Sequence, residues 1–440
     1  MRSPGAGARS RHPSAQQPPA SPRVRGLLPL GPRELTRLTG LRGERAGPDP
    51  RSRRGTISTK QLPCSFGTDL PGAPMPTAAS RVALALASIG LAGGLVGGLT
   101  GDLSRPAFAG KHHVLKAPPD DVAWGWLDPK EKPRLTIESG DTVSIETLMH
   151  AKDQIHKDVS MEQIVALRKA NPGGGPHSLT GPIFVNGAQP GDVLEIRILK
   201  IVPKKVGTNF NLPGKDFPTI GALPAEFPEG FVKYFDIDPR AKTIPFKPGI
   251  AVPLRPFPGT LAVGIDPDDP SPRKGGVKDD KMAPVSSLRP WKNGSNMDIN
   301  ELTAGSTIFI PVFLPGGLIW TGDSHCAQGN GEVNLTAIEC SFEEIELQPI
   351  VRKDIKLTWP RIETPTHYIM VGFDEDLNKA FNNALNETID FLVASKGLTK
   401  YEAYSLASVA ADCRVSQVVD VRKGIHCMVP KSLFTGKPAK

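Results

Sequence analysis

Asp323 and His325 are two residues whose types and spacing suit the binding of a metal ion. They follow an apolar run that ends at Trp320, and side chains two positions apart in an extended strand point to the same face. A carboxylate oxygen and an imidazole nitrogen on one face suit zinc or a similar divalent ion. The spacing is compatible with a metal site, but spacing alone favours a histidine that only makes hydrogen bonds, because an Asp-x-His pair is common by chance.

Two further carboxylates can be brought to this pair by turns. The dipeptide Asn-Gly, a strong tight-turn signal, comes directly before Glu332 and would fold it back toward His325. Asp298 lies in the Gly- and Asn-rich segment KNGSNMDIN (292–300). Each carboxylate also has a structural alternative, because Asp298 can cap the helical turn after it and Glu332 can be a polar strand residue.

Cys326 offers a different chemistry, that of a thiolate nucleophile. Its neighbour His325 would point to the opposite face of a strand, so the base would come from one of three other histidines, His150, His177 or His367. The sequence contains no Walker loop, no Rossmann fingerprint after a clear strand and no GxSxG elbow. Metal-assisted and thiolate chemistry are therefore the two kinds of site that the residues suggest.

The charge of the chain is unevenly distributed. The formal net charge of the 440 residues is +8, but residues 1–109 hold 15 basic and 5 acidic residues. The remainder holds 38 basic and 40 acidic residues, so the main body lacks the basic balance of a nucleic-acid-binding domain. Gly and Pro number 45 each, which indicates many turns and favours a β-rich protein.

The N-terminal segment is typical of a leader rather than of a folded domain. Residues 1–74 are rich in Arg, Pro, Gly and Ser and are predicted to be disordered, or untranslated if Met75 is the start. Residues 75–109 resemble a signal peptide, with an apolar stretch over 82–99 and a small-x-small cleavage site at 107–109. We therefore expect an exported protein, periplasmic or extracellular, that begins at Gly110. The alternative is a membrane anchor formed by an uncleaved 82–99 segment.

Four cysteines follow residue 109: Cys326, Cys340, Cys413 and Cys427. An exported protein can oxidise such residues, and proximity in sequence makes Cys413–Cys427 the expected pair. Four buried thiols are the alternative.

The apolar pattern predicts strands first and helices last. The Gly140-Asp141 turn predicts a hairpin over 134–148, and residues 181–202 repeat the pattern around a turn at 187–191. Loops and short strands are predicted over 203–260, and a strand or hairpin arm over 332–348. Between them, Pro311 and Pro315 predict that residues 306–320 form an edge or bulged strand. After them the pattern predicts a helix over 374–395, a second helix that begins with the capping box Thr399-x-x-Glu402, and a last strand over 414–421. This order indicates an α+β protein that is mainly β, with a β-rich catalytic body over 110–350 and a small C-terminal α/β portion over 351–440.

One long pattern, TGDSHCAQGNGEVNLTAIEC (321–340), resembles the most characteristic stretch of the acetamidase/formamidase family, roughly GDxHxxQGDGEVxxTAIE. Three more stretches agree with that family in order and spacing: IESGDTVSIET (137–147), HSLTGPIFVNGAQPGDVLEIRI (177–198) and NGSNMDINELTAGSTIFIPVFLPGG (293–317). The likeness runs from about Val122 to Lys431. Several long motifs in one order are far more specific than an Asp-x-His pair.

The resemblance implies hydrolysis of short aliphatic amides, such as formamide or acetamide, to a carboxylic acid and ammonia. It implies a body of jelly-roll-like and barrel-like β units with a small α/β portion, and a homo-oligomer, for which an exposed edge at 306–320 would supply an interface. From the matching polar residues, the resemblance implies a divalent metal, expected to be zinc, that is bound by Asp298, Asp323 and His325 or a subset of them. They also give Glu332 as the acid–base residue, and Asn296 or Gln328 as a hydrogen-bond donor to the substrate or oxyanion. The expected partner is a small-molecule amide, with no nucleic acid, and with a membrane only if residues 82–99 stay uncleaved.

Three positions depart from the family pattern. Asn330 replaces an acidic residue of the GDGE motif, Ser295 replaces a glycine, and Ala123 stands where many relatives have a histidine before Trp-Gly. These departures leave open a second function, that of an exported β-protein that binds a metal or small amide without turnover. A larger amide substrate is a third possibility.

Overall fold

Two nine-stranded β-sheets form the body of the protein in the computed structural model, which describes residues 110–436. One apolar cluster contains side chains from both sheets, among them Ile145 and Leu194 of the first and Ile183 and Phe257 of the second, so the sheets pack face to face. The mainly β, α+β class is confirmed. The strand order of each sheet is open, so the barrel-like units that the resemblance implied are not closed barrels within residues 110–436. The predicted leader and signal peptide lie outside the described residues.

The strands of the first sheet are, in spatial order, β1 (His112–Leu115), β5 (Thr142–Ile145), β18 (Phe342–Arg352), β7 (Val193–Pro203), β15 (Thr307–Pro311), β19 (Arg361–Glu363), β20 (His367–Asp374), β22 (Lys423–Pro430) and β21 (Asp412–Gln417). The strands of the second are β14 (Gly294–Asn296), β12 (Phe257–Ala262), β16 (Ile319–Ala327), β17 (Ile338–Cys340), β8 (Val206–Asn211) and β9 (Phe231–Asp236), with β6 (Ser178–Val185) pairing β16 and joining β2 (Ala123–Trp124) and β4 (Leu135–Ile137). Two small ribbons pair β10 (Thr243–Lys247) with β11 (Ile250–Pro253), and β3 (Trp126–Leu127) with β13 (Val285–Ser286). The helices are α1 (His150–Asp153), α2 (Met161–Ala170), α3 (Leu377–Lys396) and α4 (Lys400–Ala410).

The two predicted hairpins are wrong, although their strands exist. β4 pairs in parallel with β6 in the second sheet, whereas β5 pairs with β18 in the first. β6 and β7 are divided between the two sheets in the same way. Alternation specifies which face of a strand is buried, and both sheets bury their inner faces in one core, so the pattern does not distinguish a hairpin from a crossing between sheets.

The strand predicted at an exposed edge lies inside the first sheet. β15 pairs with β7 along Thr307–Pro311 and with β19 along Thr307–Phe309, without a register shift. Pro311 is tolerated because the pairing with β19 ends before it, so its missing N–H leaves no gap on that side. The expectation of an edge or bulged strand is wrong, and the interface expected at that edge loses its basis.

Several other predicted elements are close to those observed. The short strands β8 to β12 fill residues 203–260 as expected, and residues 338–352 supply β17 and β18. The predicted last strand corresponds to β21, but it is followed by a further strand, β22. The boundary predicted at residue 350 falls within β18, and the strands after it extend the first sheet.

Local capping signals explain the two C-terminal helices. Asp376 accepts hydrogen bonds from the N–H groups of Asn378 and Lys379 at the start of α3, and Gly397 ends that helix in the left-handed conformation. The Thr399–Glu402 capping box is formed at the start of α4, as predicted. Within residues 110–436 none of the helices has the length and apolar character needed to span a bilayer.

Two disulfides join neighbouring strands: Cys413–Cys427 between β21 and β22, and Cys326–Cys340 between β16 and β17. The first is the pair expected from sequence, and the alternative of four free thiols is excluded in this structure. The second links Cys340 to Cys326, which lies at the irregularity in the pairing of β16 with β17, between His325 and Ala327.

Replacing both Cys413 and Cys427 with alanine is expected to lower the free energy of unfolding by about 3 kcal/mol, because the bond closes a loop with a sequence separation of 14. Urea unfolding of the oxidised protein and the double variant measures this difference. Identical unfolding curves, together with two titratable thiols at these positions in the unreduced protein, would contradict the pairing.

Candidate active site

β16 carries Asp323 and His325 into a buried cluster between the two sheets. The His325 Nε2 lies 3.5 Å from the Asp323 Oδ1, and both side chains are almost fully buried. The predicted common face is confirmed. β12 runs alongside, and its residue Phe257 packs edge-on against the His325 ring with centroids 5.0 Å apart.

Asp298 and Glu332 join this pair. The Asp298 Oδ1 lies 3.9 Å from the His325 Nδ1, and both carboxylate oxygens of Asp298 are buried without a hydrogen-bond donor. Asp298 therefore does not cap a helix. Glu332 is buried, and its carboxylate lies within 4.8 Å of a ligand atom of His325, as the predicted turn requires.

Four residues that were not predicted as site residues complete the cluster: His150, His177, Glu339 and Asp420. The His150 Nε2 lies 2.9 Å from the Asp323 Oδ1 and 3.2 Å from the Glu339 Oε2. The same Glu339 oxygen lies 3.2 Å from the His325 Nε2, because Glu339 faces His325 in the pairing of β16 with β17. The His177 Nε2 lies 3.6 Å from the Asp323 Oδ1.

The sequence held a signal for some of these residues. Glu339 ends the motif TAIE, and His177 opens the stretch 177–198, both within the family-like patterns. In the sequence, His150 and His177 stand out only as possible bases for Cys326. Asp420 lies in the loop between β21 and β22, far along the chain, and no local pattern marks it.

The two predicted hydrogen-bonding residues have different positions. Asn296 lies in the cluster, where its Nδ2 donates to the Asp420 Oδ2 (2.8 Å) and its Oδ1 accepts from the Thr260 hydroxyl (3.0 Å). The Gln328 Nε2 donates to the main-chain oxygens of Asp298 (3.1 Å) and Ser416 (3.3 Å). Gln328 therefore holds the Asp298 segment against β21.

The ionisable groups around Asp323 favour their charged forms. Burial opposes the charge on His150, but Glu339 and Asp323 outweigh it and raise the pKa of His150 to about 9. The same carboxylates raise the pKa of His325 well above its usual value despite burial. Burial opposes ionisation of Asp323 and Glu339 too, yet the neighbouring imidazoles hold the Asp323 pKa well below its ordinary value and lower the pKa of Glu339 to about 2.

The pKa shifts of four other groups in the cluster favour their neutral forms. Burial, followed by repulsion from Asp420 and Asp323, raises the pKa of Asp298 well above its usual value. Burial and the carboxylates of Asp298 and Asp420 raise the pKa of Glu332 in the same direction. Burial raises the pKa of Asp420 to about 7, with a contribution from Asp323, and burial lowers the pKa of His177 to about 4. Several acidic groups are thus crowded together without enough positive charge to neutralise them.

This crowding fits a divalent cation. Asp298, Asp323 and His325 each offer a ligand atom within 4.8 Å of the others, and the Asp298 oxygens and the His325 Nδ1 lack hydrogen-bond partners. Gly259 on β12 leaves the necessary space, since a Cβ there would lie 2.6 Å from the Asp323 Oδ2 and 2.7 Å from the Asp298 Oδ1. Oxygen and imidazole donors of this kind suit zinc and similar ions.

The backbone is unusual at the same residues. Asp298, Asp323 and Glu332 have positive φ values of 52°, 50° and 45°, a region that costs roughly 1–2 kcal/mol for a residue with a Cβ. α1, which begins at His150, contains three successive residues with positive φ. Such conformations concentrate at functional sites, where the surrounding fold enforces them.

The thiolate reading of Cys326 is wrong in this structure. Its sulfur is bonded to Cys340 and is fully buried, so it is not available as a nucleophile. His150 and His177 contact Asp323, and His367 lies at the start of β20, where its ring bonds the Thr366 hydroxyl.

A cavity of about 210 Å³ reaches the cluster. Seven polar residues of the cluster line it: His150, His177, Asn296, Asp323, Glu332, Glu339 and Asp420. Asp298 and His325 are not among the lining residues. Thr219 and Val421, which are exposed, also line the cavity, so its wall reaches the protein surface.

Two of the three departures from the family pattern, Asn330 and Ala123, are not among the residues of the cluster, whereas Ser295 is buried directly before Asn296. Asn330 is exposed, and its Oδ1 accepts a hydrogen bond from the Asn300 Nδ2 at 2.9 Å. Ala123 pairs with Leu179 between β2 and β6 and packs against a second apolar cluster.

Comparisons of sequence and of structure with known proteins point to the same family. The sequence profile of the Acetamidase/Formamidase family matches residues 126–275 and 274–436. A predicted formamidase of Schizosaccharomyces pombe is 30% identical over 368 residues, which cover 68% of this chain and 86% of that protein. An acetamidase of Mycolicibacterium smegmatis is 30% identical over 200 residues, covering 36% of this chain, and the match spans about half (49%) of that protein's length. The crystal structure of an acetamidase from Bacillus halodurans is similar with a TM-score of 0.62 and 27% identity, covering 73% of this chain and 98% of that chain.

Proposed function

The chain belongs to the acetamidase/formamidase family, and we propose that it is an amidohydrolase that converts short linear amides such as formamide and acetamide to carboxylic acid and ammonia. The observation that carries the proposal is that carboxylates and imidazoles from distant parts of the chain, from His150 to Asp420, lie together at one cavity. Proteins named acetamidase and formamidase are 30% and 25% identical to parts of this chain, and the structure of an acetamidase is similar to it.

Asp298, Asp323 and His325 would hold a divalent metal, and their oxygen and nitrogen donors make zinc our choice. When bound, such an ion polarises the amide carbonyl and lowers the pKa of water. Its charge would also relieve the repulsion that raises the Asp298 pKa. His150 bonds Asp323 and lies beside Glu339, so it orients both carboxylates.

Glu332 is our candidate for the acid–base residue. It lies in the cavity wall, and burial beside Asp298 and Asp420 raises the pKa of its carboxyl group well above the usual value, which favours proton uptake by a carboxylate that acts as a general base. In the proposed reaction Glu332 takes a proton from the attacking water and delivers one to the departing nitrogen. Asn296 lines the same wall and holds Asp420 in place through its amide.

Ammonia release by the purified protein tests the proposal, with formamide, acetamide and propionamide as substrates and His325→Ala as the inactive comparison. We expect turnover of at least one of these amides by the native chain and none by the variant. A folded, metal-loaded protein that binds amides and releases no ammonia would replace the proposal with the binding-protein alternative.

Asn330→Asp, which restores the acidic residue common in the family, is expected to change kcat/KM by no more than about twofold, which corresponds to about 0.4 kcal/mol. The reason is that Asn330 is exposed and bonds Asn300, and an aspartate can accept the same hydrogen bond. Kinetics with acetamide measure the effect. A tenfold or larger gain in the variant would show instead that Asn330 impairs the site.

We further propose that the protein is exported, since the leader resembles a signal peptide and two disulfides suit an oxidising compartment. N-terminal sequencing of the protein from its natural source would give Gly110 as the first residue. A protein that retains residues 82–99 and fractionates with membranes would favour the anchor alternative.

A further inference from the structure

We propose that the cavity binds the apolar acyl chain of the substrate, so that primary amides with acyl chains of about four to seven carbons are better substrates than formamide or acetamide. This inference rests on the proposed function and deepens it.

The cavity has a polar part and an apolar part. Its polar part is the carboxylate and imidazole cluster. The apolar part includes six side chains that lie close together: Ile155, Ile164 and Leu167 around α2, Phe210 and Leu212 at β8, and Ile220 from the following loop. All six belong to one apolar cluster packed around α2, so they form a continuous wall.

The volume exceeds what the smallest amides can fill. An apolar cavity of about 150 Å³ holds a benzene molecule, and this cavity measures about 210 Å³. Acetamide offers only a methyl group to the wall, and formamide offers none. A longer chain would displace water from these side chains, which is worth about a fourfold gain in affinity for each methylene buried.

The acyl chain is the part of the substrate that can occupy this wall. A reaction that releases ammonia acts on a primary amide, whose only carbon substituent is the acyl group. The wall also contains one cation, Arg168, which donates a hydrogen bond to the Gly174 oxygen at 2.6 Å. The apolar side chains greatly outnumber it, and we therefore assign the wall to a hydrocarbon chain.

The test is the kcat/KM of the full-length protein for formamide, acetamide, butanamide and hexanamide, with ammonia as the measured product. We expect a rise along this series, with hexanamide at least tenfold above acetamide. A fall from acetamide to hexanamide would overturn the inference while leaving the proposed function intact, whereas no ammonia from any of the four would contradict the proposed function itself. A higher kcat/KM for the half-amide of adipic acid than for hexanamide would overturn the inference in favour of a carboxylate bound by Arg168.

A pair of variants on α2 tests whether the apolar cavity wall causes the preference for longer acyl chains. Leu167→Trp fills part of the cavity and is expected to lower the ratio of hexanamide to acetamide kcat/KM at least tenfold. Ala166→Trp is the matched control, because Ala166 is exposed on the same helix, and its ratio should equal that of the native chain. Leu167→Ala covers the case in which Leu167→Trp does not fold, and is expected to shift the optimum toward longer chains. An unchanged ratio in a folded Leu167 variant would overturn the assignment.

Discussion

Asp323→Asn is expected to lower kcat/KM for the amide substrate about a thousandfold, the effect of losing several kcal/mol of transition-state stabilisation. Asp323 lies within 3.6 Å of the imidazoles of His150, His177 and His325, and it is one of the three residues that we assign to the metal. The variant keeps the size of the side chain and removes its charge. It therefore leaves the raised pKa of His150 supported by Glu339 alone and weakens cation binding.

The measurement pairs acetamide or hexanamide kinetics with metal content determined on the purified protein. Asp390→Asn is the matched control, because Asp390 is exposed on α3 and far along the chain from the cluster. We expect loss of both activity and metal in Asp323→Asn and of neither in the control. A variant that retains activity within tenfold of the native chain would remove Asp323 from the reaction.

Glu332→Gln is expected to lower kcat by about a hundredfold to ten-thousandfold, the range for removing a general acid–base group. The glutamine is nearly the same size as glutamate, and it cannot accept and release the proton. Because Glu332 is not among the three assigned metal ligands, metal content should stay close to that of the native chain. Loss of kcat with metal retained would thus separate the role of Glu332 from that of Asp323.

Glu343→Gln is the comparison for this second prediction, since Glu343 is exposed on β18. Near-native kcat in Glu332→Gln would contradict its acid–base role, and loss of metal together with activity would reassign Glu332 to the metal.

Short-range patterns predicted part of the geometry of the cluster. Asp323 and His325 share a face because side chains alternate along β16, and this depends only on strand geometry. The turn before Glu332 is similarly local. The capping box at Thr399 is also a local feature, and it is found where the sequence places it.

Long-range pairing is what the sequence could not specify. β4 and β5 are adjacent in the chain, yet they join different sheets, because burial of one face is satisfied equally by either sheet. The arrival of His150, His177 and Asp420 at Asp323 depends on that pairing. Glu339 was visible in the motif, but its role emerged only from its position opposite His325 on β17.

Amide hydrolysis at this cluster is the central claim, and the most direct measurement is the quantity of ammonia and acetate formed from acetamide by the purified protein. We predict equal amounts of the two products, with formation abolished by dialysis against a chelator and restored by zinc or another divalent ion. Folded protein that holds metal at the cluster and forms neither product from acetamide, nor the corresponding products from longer amides, would contradict the claim.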